Sequence, residues 1–203
     1  MIDKLKFEKE FILQGKRFIA GVDEVGRGPL AGPVVCAAVI MPLDDDSIID
    51  GVDDSKKVSE KKREVLAKVI AERALAYKIC EVSPQEIDEI NILQATIKCM
   101  KMCVDGLSIR PDVVLVDAVK TDFGVPSCPI IKGDALSYSI GAASILAKVY
   151  RDDLMRSYSA LYPEYSFEKH KGYGTKEHIR AIKEHGASPI HRKTFIKNFI
   201  QNE

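Results

Sequence analysis

Three separated segments of the chain end in acidic side chains: Asp23 with Glu24, Asp117, and Asp134. Carboxylates at strand tips are better site candidates than those on surface loops, because sites in open α/β sheets form at strand ends. Four oxygen ligands without a cysteine or histidine partner favour hard cations such as Mg²⁺ or Mn²⁺. Two such ions would support in-line attack of water on a phosphodiester. Helix caps and solvated strand ends would explain the same acids without any chemistry.

A glycine-rich turn, Gly26–Pro33, follows the first acidic pair directly. Neighbouring strand residues point to opposite faces, so Asp23 and Glu24 can share a metal site only if the strand ends or bends there, and we expect the turn to allow this. Glycines let backbone groups approach a ligand closely, and Arg27 adds a guanidinium fork suited to phosphate. A tight hairpin turn explains the glycines equally well, so the interest of the turn lies in its place beside the acids.

Alternating strands and helices must position these residues, and the pattern predicts an α/β class with a mixed sheet and a small helical C-terminal part. Apolar runs predict strands over 17–22, 34–41, 77–82, 111–117 and 129–131, the first two as an antiparallel hairpin. Capping signals and helical spacing predict helices over 3–14, from a cap at Ser59 through Ile70, from a capping box at Ser83 to Gly106 with a restart near Asn91, over 137–161 and over 175–186.

Length and composition indicate an ordinary globular chain of 203 residues and predict one domain. The formal net charge is zero, although residues 166–203 carry eight basic against four acidic side chains, a modest hint of a phosphate-facing surface. The five cysteines are odd in number and scattered, which favours buried, reduced thiols over a zinc site. Nothing in the sequence resembles a signal peptide or a membrane-spanning run, so we expect a cytoplasmic protein that does not associate with a membrane.

The stretch 20–34, which holds the first acids and the glycine turn, resembles the opening motif of ribonuclease HII, the type 2 ribonuclease H of bacteria. Later motifs of that family follow in the same order, at Asp54-Ser-Lys-Lys, Asn91-Ile-Leu-Gln-Ala-Thr, Val114-Leu-Val-Asp117, Lys132-Gly-Asp134, Ser144-Ile-Leu-Ala-Lys148 and His170-Lys-Gly-Tyr173-Gly-Thr. The similarity covers nearly the whole chain. Val25, Ala118 and Gly141 depart from the usual residues, and none of them is a predicted ligand.

The resemblance implies a ribonuclease H-like fold with a mixed central sheet flanked by helices. It implies a single catalytic domain over 1–203, with the core in 1–160 and a helical substrate-binding part in 161–203. The implied activity is that of an endoribonuclease that hydrolyses the RNA strand of RNA/DNA hybrids. It would also cut 5′ of single ribonucleotides embedded in duplex DNA, leaving 3′-hydroxyl and 5′-phosphate ends.

The resemblance also assigns roles to single residues. Asp23, Glu24, Asp117 and Asp134 match the family's catalytic carboxylates, which hold two Mn²⁺ or Mg²⁺ ions. Gly26, Arg27 and Gly28 match the loop that reads the ribose 2′-hydroxyl, and Tyr173 matches a tyrosine that packs on the following sugar. Phosphate contacts are expected from Lys56, Lys57, His170, Lys171 and Arg192.

Three alternatives stay open at this point. Ribonuclease HIII shares the carboxylates but carries an extra N-terminal domain, for which about 20 residues before Asp23 leave no room. A catalytically weak hybrid-binding module would be expected to lack a carboxylate, and a general metal-dependent phosphatase would not need the glycine turn. We expect a monomer that binds RNA/DNA hybrids and ribonucleotide-containing DNA, and residues 198–203 show no convincing clamp-binding tail.

Overall fold

The computed structural model describes residues 3–200 of the chain. Its strands are β1 (Ile19–Val25), β2 (Val34–Ile40), β3 (Ala76–Val82), β4 (Val113–Asp117) and β5 (Ser127–Ile130). They form one sheet with the order β3-β2-β1-β4-β5. β2 runs antiparallel to β1 and β3, whereas β4 runs parallel to β1 and β5. The predicted mixed sheet and the predicted hairpin of the first two strands are therefore confirmed.

The helices surround this sheet and continue beyond it. They are α1 (Lys6–Leu13), α2 (Glu60–Arg73), α3 (Pro84–Asp105), α4 (Gly133–Leu136), α5 (Tyr138–Leu161), α6 (Phe167–His170), α7 (Lys176–His185) and α8 (Lys193–Ile196). The five longer helices are the predicted ones, with ends that agree within a few residues. The four-residue helices α4, α6 and α8 are not predicted by the sequence pattern. None of the helices within residues 3–200 is long and apolar enough to cross a membrane.

Both faces of β2 are covered, which explains its unbroken apolar run. All seven of its residues are buried. Because strand side chains alternate between faces, Val34 and Cys36 pack with α3, whereas Val35 and Ala37 pack with α2 and α5. The helix α3 therefore covers one face of the sheet, and α2 and α5 cover the other.

Helix α5 approaches the sheet at Gly21 of β1. A Cβ atom at that position would lie 2.1 Å from the carbonyl carbon of Ser139, so only glycine fits there. The same helix end is held by the buried carboxylate of Glu8 in α1, which accepts hydrogen bonds from the hydroxyl of Ser137 (2.6 Å) and the N–H of Ser139 (3.0 Å). These contacts fix the start of α5 against the middle of the sheet.

Two of the predicted helix signals behave as expected and one does not. The hydroxyl of Ser83 accepts the N–H of Glu86 at the start of α3. The restart falls at Asn91, where φ is 67° and the side-chain oxygen accepts the N–H groups of the next helical residues. Ser59 occupies the N-cap position of α2, but its side chain makes no capping hydrogen bond.

The C-terminal helices have an apolar cluster of their own. It includes Met155 at the far end of α5, Tyr165, Phe167 and Ile182. This cluster lies apart from those of the sheet, consistent with the predicted helical C-terminal part. The five cysteines are free thiols, as predicted; three of them are buried, whereas Cys80 and Cys128 are only half-buried.

Candidate active site

Three chain segments bring carboxylates to one end of the parallel pair β1 and β4. The parallel register ends with Val22 beside Val116, so the next residues along the two strands are Asp23 and Asp117. Asp117 accepts the N–H of Gly133 (2.8 Å) through its Oδ1 atom. Because Gly133 begins α4, this bond brings Asp134 to the same end of the sheet.

The two acids of β1 lie on opposite faces of the strand. β1 does not end between Asp23 and Glu24 but continues for one more residue, to Val25. Asp23 lies opposite Ala37, whose side chain belongs to the α5 face, and Glu24 lies opposite Cys36, on the α3 face. Both acids nevertheless lie at the end of the sheet, where the charge of Asp117 acts on each of them.

Burial and mutual repulsion disfavour the ionised forms of these acids. Burial raises the pKa of Asp23 well above its usual value, and the charges of Glu24 and Asp117 raise it further, although a hydrogen bond from Ser144 opposes the rise. Burial also raises the pKa of Glu24, with Arg27 opposing and Asp117 adding to the effect. Burial, followed by the charges of neighbouring acids, raises the pKa of Asp134. Such crowding is the environment that a cation would relieve.

The donor set fits a hard divalent cation. The Oε2 atom of Glu24 is buried without a hydrogen-bond partner, while its Oε1 atom lies 3.6 Å from a guanidinium nitrogen of Arg27. A buried carboxylate oxygen left unpaired is unfavourable unless a cation or donor satisfies it. Within residues 3–200, no three Asp, Glu, His or Cys side chains already surround one metal position. Pairs of carboxylates completed by substrate oxygens are the usual arrangement for Mg²⁺.

The glycine turn begins two residues after Glu24 and approaches Tyr173 at Gly28. Gly26 has φ 91°, and a Cβ atom there would lie 2.2 Å from the Nε atom of Arg151, so glycine is required. Arg27 and Gly28 are exposed. A Cβ atom at Gly28 would lie 3.6 Å from the Tyr173 ring, which is itself 46% exposed. The turn and the aromatic ring therefore border one exposed surface.

The structure separates the two predicted lysines of the 54–57 segment. Lys56 is exposed, and although partial burial opposes it, the charges of Asp134, Asp54 and Asp23 raise its pKa. Lys57 instead lies near Asp53 and lines a cavity of about 770 Å³ beside the N-terminal segment. Lys56 is thus the one of the two that belongs with the carboxylates.

Two predicted phosphate contacts are buried, which corrects the sequence-based expectation. Arg192 has no exposed surface, and its guanidinium donates to backbone carbonyls of the glycine turn. His170 is 9% exposed, and its ring nitrogens bond to the carbonyl of Tyr165 and the N–H of Gly172. The ammonium of Lys171 donates to the carbonyl of Glu168. The hydrogen bonds of these side chains to backbone groups could not be predicted from the fact that the residues are basic.

Residues 20–198 match the family model of ribonuclease HII. The chain belongs to the ribonuclease HII family. The ribonuclease HII of Caldicellulosiruptor saccharolyticus is 54% identical over 203 residues, covering 98% of each protein. The structure of ribonuclease H2 from Pyrococcus horikoshii is similar with a TM-score of 0.77 and 27% identity, over 92% of this chain and 100% of that one. A complex of PCNA with ribonuclease HII from Archaeoglobus fulgidus gives a TM-score of 0.76 and 26% identity, over 91% and 98% of the two chains.

Family membership confirms the predicted enzyme class and fold. The chain is a metal-dependent endonuclease of ribonuclease H type 2, with the ribonuclease H-like fold. The match to ribonuclease HII also resolves the choice between it and ribonuclease HIII.

Two site residues were missed by the reasoning from residue types. The hydroxyl of Ser144 donates to the carboxylate of Asp23, and its oxygen lies 2.9 Å from the hydroxyl oxygen of Ser55. Arg151 is fully buried under the glycine turn and donates to the carbonyls of Pro33 (3.1 Å), Ala31 (3.1 Å) and Lys171 (2.9 Å). Ser144 lies in a stretch that carries the family resemblance, which is a usable signal. Arg151 carries no such signal, because the sequence pattern of an amphipathic helix predicts that its charged residues are exposed.

Proposed function

We propose that this protein cuts the RNA strand of RNA/DNA hybrids and the 5′ side of single ribonucleotides embedded in duplex DNA, leaving 3′-hydroxyl and 5′-phosphate ends. The observation that carries the proposal is the placement of the glycine turn and Tyr173 immediately beside the carboxylate end of the sheet. A phosphatase for small esters would need the carboxylates but not a separate exposed surface that combines backbone groups with an aromatic ring.

In this proposal Asp23, Glu24, Asp117 and Asp134 hold two divalent ions, Mg²⁺ or Mn²⁺. Bound there, the ions would supply an activated water and charge neutralisation for phosphodiester hydrolysis. The chain's own contribution is to crowd the carboxylates in a buried place and to hold Asp117 by the N–H of Gly133. Lys56 faces the same carboxylates and would contact a phosphate of the substrate.

The glycine turn and Tyr173 would recognise the ribonucleotide. Peptide groups at Arg27 and Gly28 can donate to and accept from a 2′-hydroxyl, which distinguishes RNA from DNA at a single nucleotide. The exposed face of Tyr173 offers an apolar surface to the neighbouring sugar. Lys171 and Lys57 stay candidates for more distant phosphates, whereas Arg192 and His170 are too buried for that role.

The wider expectations stay proposals as well. We propose one catalytic domain over 1–203, with residues 161–203 forming the helical part that helps to bind substrate, and a monomer that acts in the cytoplasm. The archaeal relative forms a complex with PCNA. The predicted lack of a clamp-binding tail concerns residues 198–203, of which 201–203 lie outside the described residues.

The decisive test is cleavage of a labelled DNA duplex that carries one ribonucleotide, beside an all-DNA duplex of the same sequence, in Mg²⁺, in Mn²⁺ and in chelator. We expect metal-dependent cutting on the 5′ side of the ribonucleotide and none of the control. Asp134→Asn should remove most of the activity without unfolding, whereas Asp105→Asn, a substitution of an exposed acid at the end of α3, should not. Binding without cutting by the folded parent protein would favour the hybrid-binding module, and cutting of the all-DNA duplex would refute the role of the turn.

A further inference from the structure

One short extended segment, residues 190–192, connects the two parts of the candidate substrate site, which are the glycine turn and Tyr173. The N–H of Arg192 donates to the carbonyl of Leu30 (2.8 Å), and the carbonyl of Ile190 accepts the N–H of Gly32 (2.9 Å). Ala31 and His191 form an isolated antiparallel bridge between these bonds. Neighbouring side chains of an extended segment point to opposite sides, so His191 and Arg192 contact different parts of the protein.

Arg192 orients the peptide groups of the glycine turn. Its guanidinium donates to the carbonyls of Gly26 (2.5 Å), Arg27 (2.9 Å) and Gly32 (2.8 and 3.0 Å). In a trans peptide the N–H group points away from the carbonyl of the preceding residue. With the carbonyls of Gly26 and Arg27 turned toward the guanidinium, the N–H groups of Arg27 and Gly28 point away from it. Both residues are exposed, so these donors are presented on the side where the ligand is expected.

His191 is connected to Tyr173 through the imidazole ring of His178. Its Nδ1 atom accepts the N–H of Ser188 (2.9 Å) and lies 2.7 Å from the hydroxyl oxygen of the same residue, and its Nε2 atom lies 3.0 Å from Nε2 of His178. The Nδ1 atom of His178 lies 2.9 Å from the carbonyl oxygen of Tyr173. The rings therefore connect Ser188 to Tyr173 in a continuous chain of hydrogen bonds.

The direction of this chain is fixed at both ends. The N–H of Ser188 can only donate, so Nδ1 of His191 is an acceptor and its proton is on Nε2. The carbonyl of Tyr173 can only accept, so His178 carries its proton on Nδ1 and accepts from His191 at Nε2. Both ends thus require the same pair of neutral tautomers. The histidine relay, defined as Ser188–His191–His178–Tyr173, holds the backbone of Tyr173 at a fixed place beside Gly28.

We propose that His191 and Arg192 are positioning residues that together set the geometry between the donors of the glycine turn and Tyr173. This inference rests on the proposed function, because it assigns the two residues to the recognition of the ribonucleotide. Neither residue touches the substrate itself. The role of Arg192 is therefore that of a scaffold for phosphate and 2′-hydroxyl recognition, not of a phosphate ligand.

The kinetic test uses two variants and a matched control. His191→Phe keeps an aromatic ring but removes the relay, and Arg192→Gln removes the guanidinium fork. Ile182→Val perturbs the same C-terminal apolar cluster without any hydrogen bond to the site. We expect the first two variants to lose about 10- to 100-fold in kcat/KM on the ribonucleotide-containing duplex, since a misplacement of about 1 Å has effects of that size. The control should stay within about twofold of the parent.

A second readout separates positioning from general damage. Binding of Mn²⁺ to the variants, measured by calorimetry without substrate, should match the parent, because neither side chain contacts a carboxylate of the site. Imidazole ¹⁵N chemical shifts of the parent should place the proton of His191 on Nε2 and that of His178 on Nδ1. Either of the opposite tautomers would refute the relay.

The outcomes distinguish a failure of the proposed function from a failure of the positioning role. If the parent neither cuts nor selects the ribonucleotide, the proposed function is wrong and this inference fails with it. If the parent is active but His191→Phe and Arg192→Gln lose no more than Ile182→Val, the function stands and the inference alone is overturned. A large loss in kcat/KM with unchanged Mn²⁺ affinity would support it. If His191→Phe fails to fold, Arg192→Gln and the tautomers of the parent decide.

Discussion

The histidine relay makes the stability of the fold depend on pH in a way that can be calculated. His178 and His191 have 0% and 3% of their surface exposed. Burial lowers the pKa of each to about 4, from an ordinary value of 6.5. For His191 the neighbouring His178 adds to the effect. The folded protein therefore keeps both rings neutral at a pH where the unfolded chain already binds protons.

The sign of the change in the free energy of unfolding with pH follows from this difference in bound protons. The relay contributes its full stability above about pH 6.5, and the contribution falls as the pH decreases toward the folded pKa of about 4. Between pH 7 and pH 5 each histidine should lower the free energy of unfolding by about 2 kcal/mol, and the pair by about 2–4 kcal/mol, because the two rings share a hydrogen bond. The buried acids Asp23, Glu24 and Asp134 act in the opposite direction, since their pKa values are raised in the folded state.

The assay is urea unfolding at pH 7 and pH 5, analysed as a difference between proteins so that the acids cancel. His191→Phe, which removes one of the two titrating rings of the relay, should show a pH dependence about 2 kcal/mol smaller than the parent. His185→Gln replaces an exposed histidine and should retain the full dependence. Equal pH dependence in the parent and in His191→Phe would refute the assignment of neutral, buried rings.

Three further predictions concern the carboxylates, the sheet and the aromatic ring. Mn²⁺ or Mg²⁺ should raise Tm, and the increase should be smaller at pH 5 than at pH 8, because protons compete with the metal for carboxylates whose pKa values are raised. Calorimetric scans with and without chelator at the two pH values measure the increase in Tm. Gly21→Ala should destabilise the fold by about 3 kcal/mol or more, measured by denaturant unfolding, because the new methyl group overlaps the backbone of Ser139. Tyr173→Ala should reduce cleavage at the ribonucleotide about 10-fold or more while changing Tm little, since the ring is 46% exposed; parallel losses of Tm and activity would contradict it.

The sheet could be predicted because its signals are local. The unbroken apolar run of β2 indicates a strand covered on both faces, and the glycine turn before it indicates a hairpin. The capping box at Ser83 and the break at Asn91 are likewise coded within a few residues. The carboxylates at the ends of β1 and β4 could be predicted to meet because parallel strands bring their carboxyl ends together.

The supporting layer could not be predicted, because its side chains act on backbone groups far away in sequence. Arg192 serves carbonyls about 160 residues earlier in the chain, and its residue type suggests phosphate equally well. His170 was assigned to a phosphate for the same reason and instead bonds the backbone of its own turn. The short helix α4 also escaped prediction, since four residues carry no periodicity, although the Asp117 bond to Gly133 depends on it.

The two buried arginines under the glycine turn suggest how a chain without net charge attracts a polyanion. Burial lowers the pKa of Arg151 to about 10 and that of Arg192 to about 9, so both stay charged at neutral pH. Their hydrogen-bond partners are carbonyl dipoles, which orient the guanidiniums without cancelling their charge. Salt screens buried charges less than exposed ones. Two fixed positive charges therefore lie under the glycine turn, although the total charge of the sequence is zero.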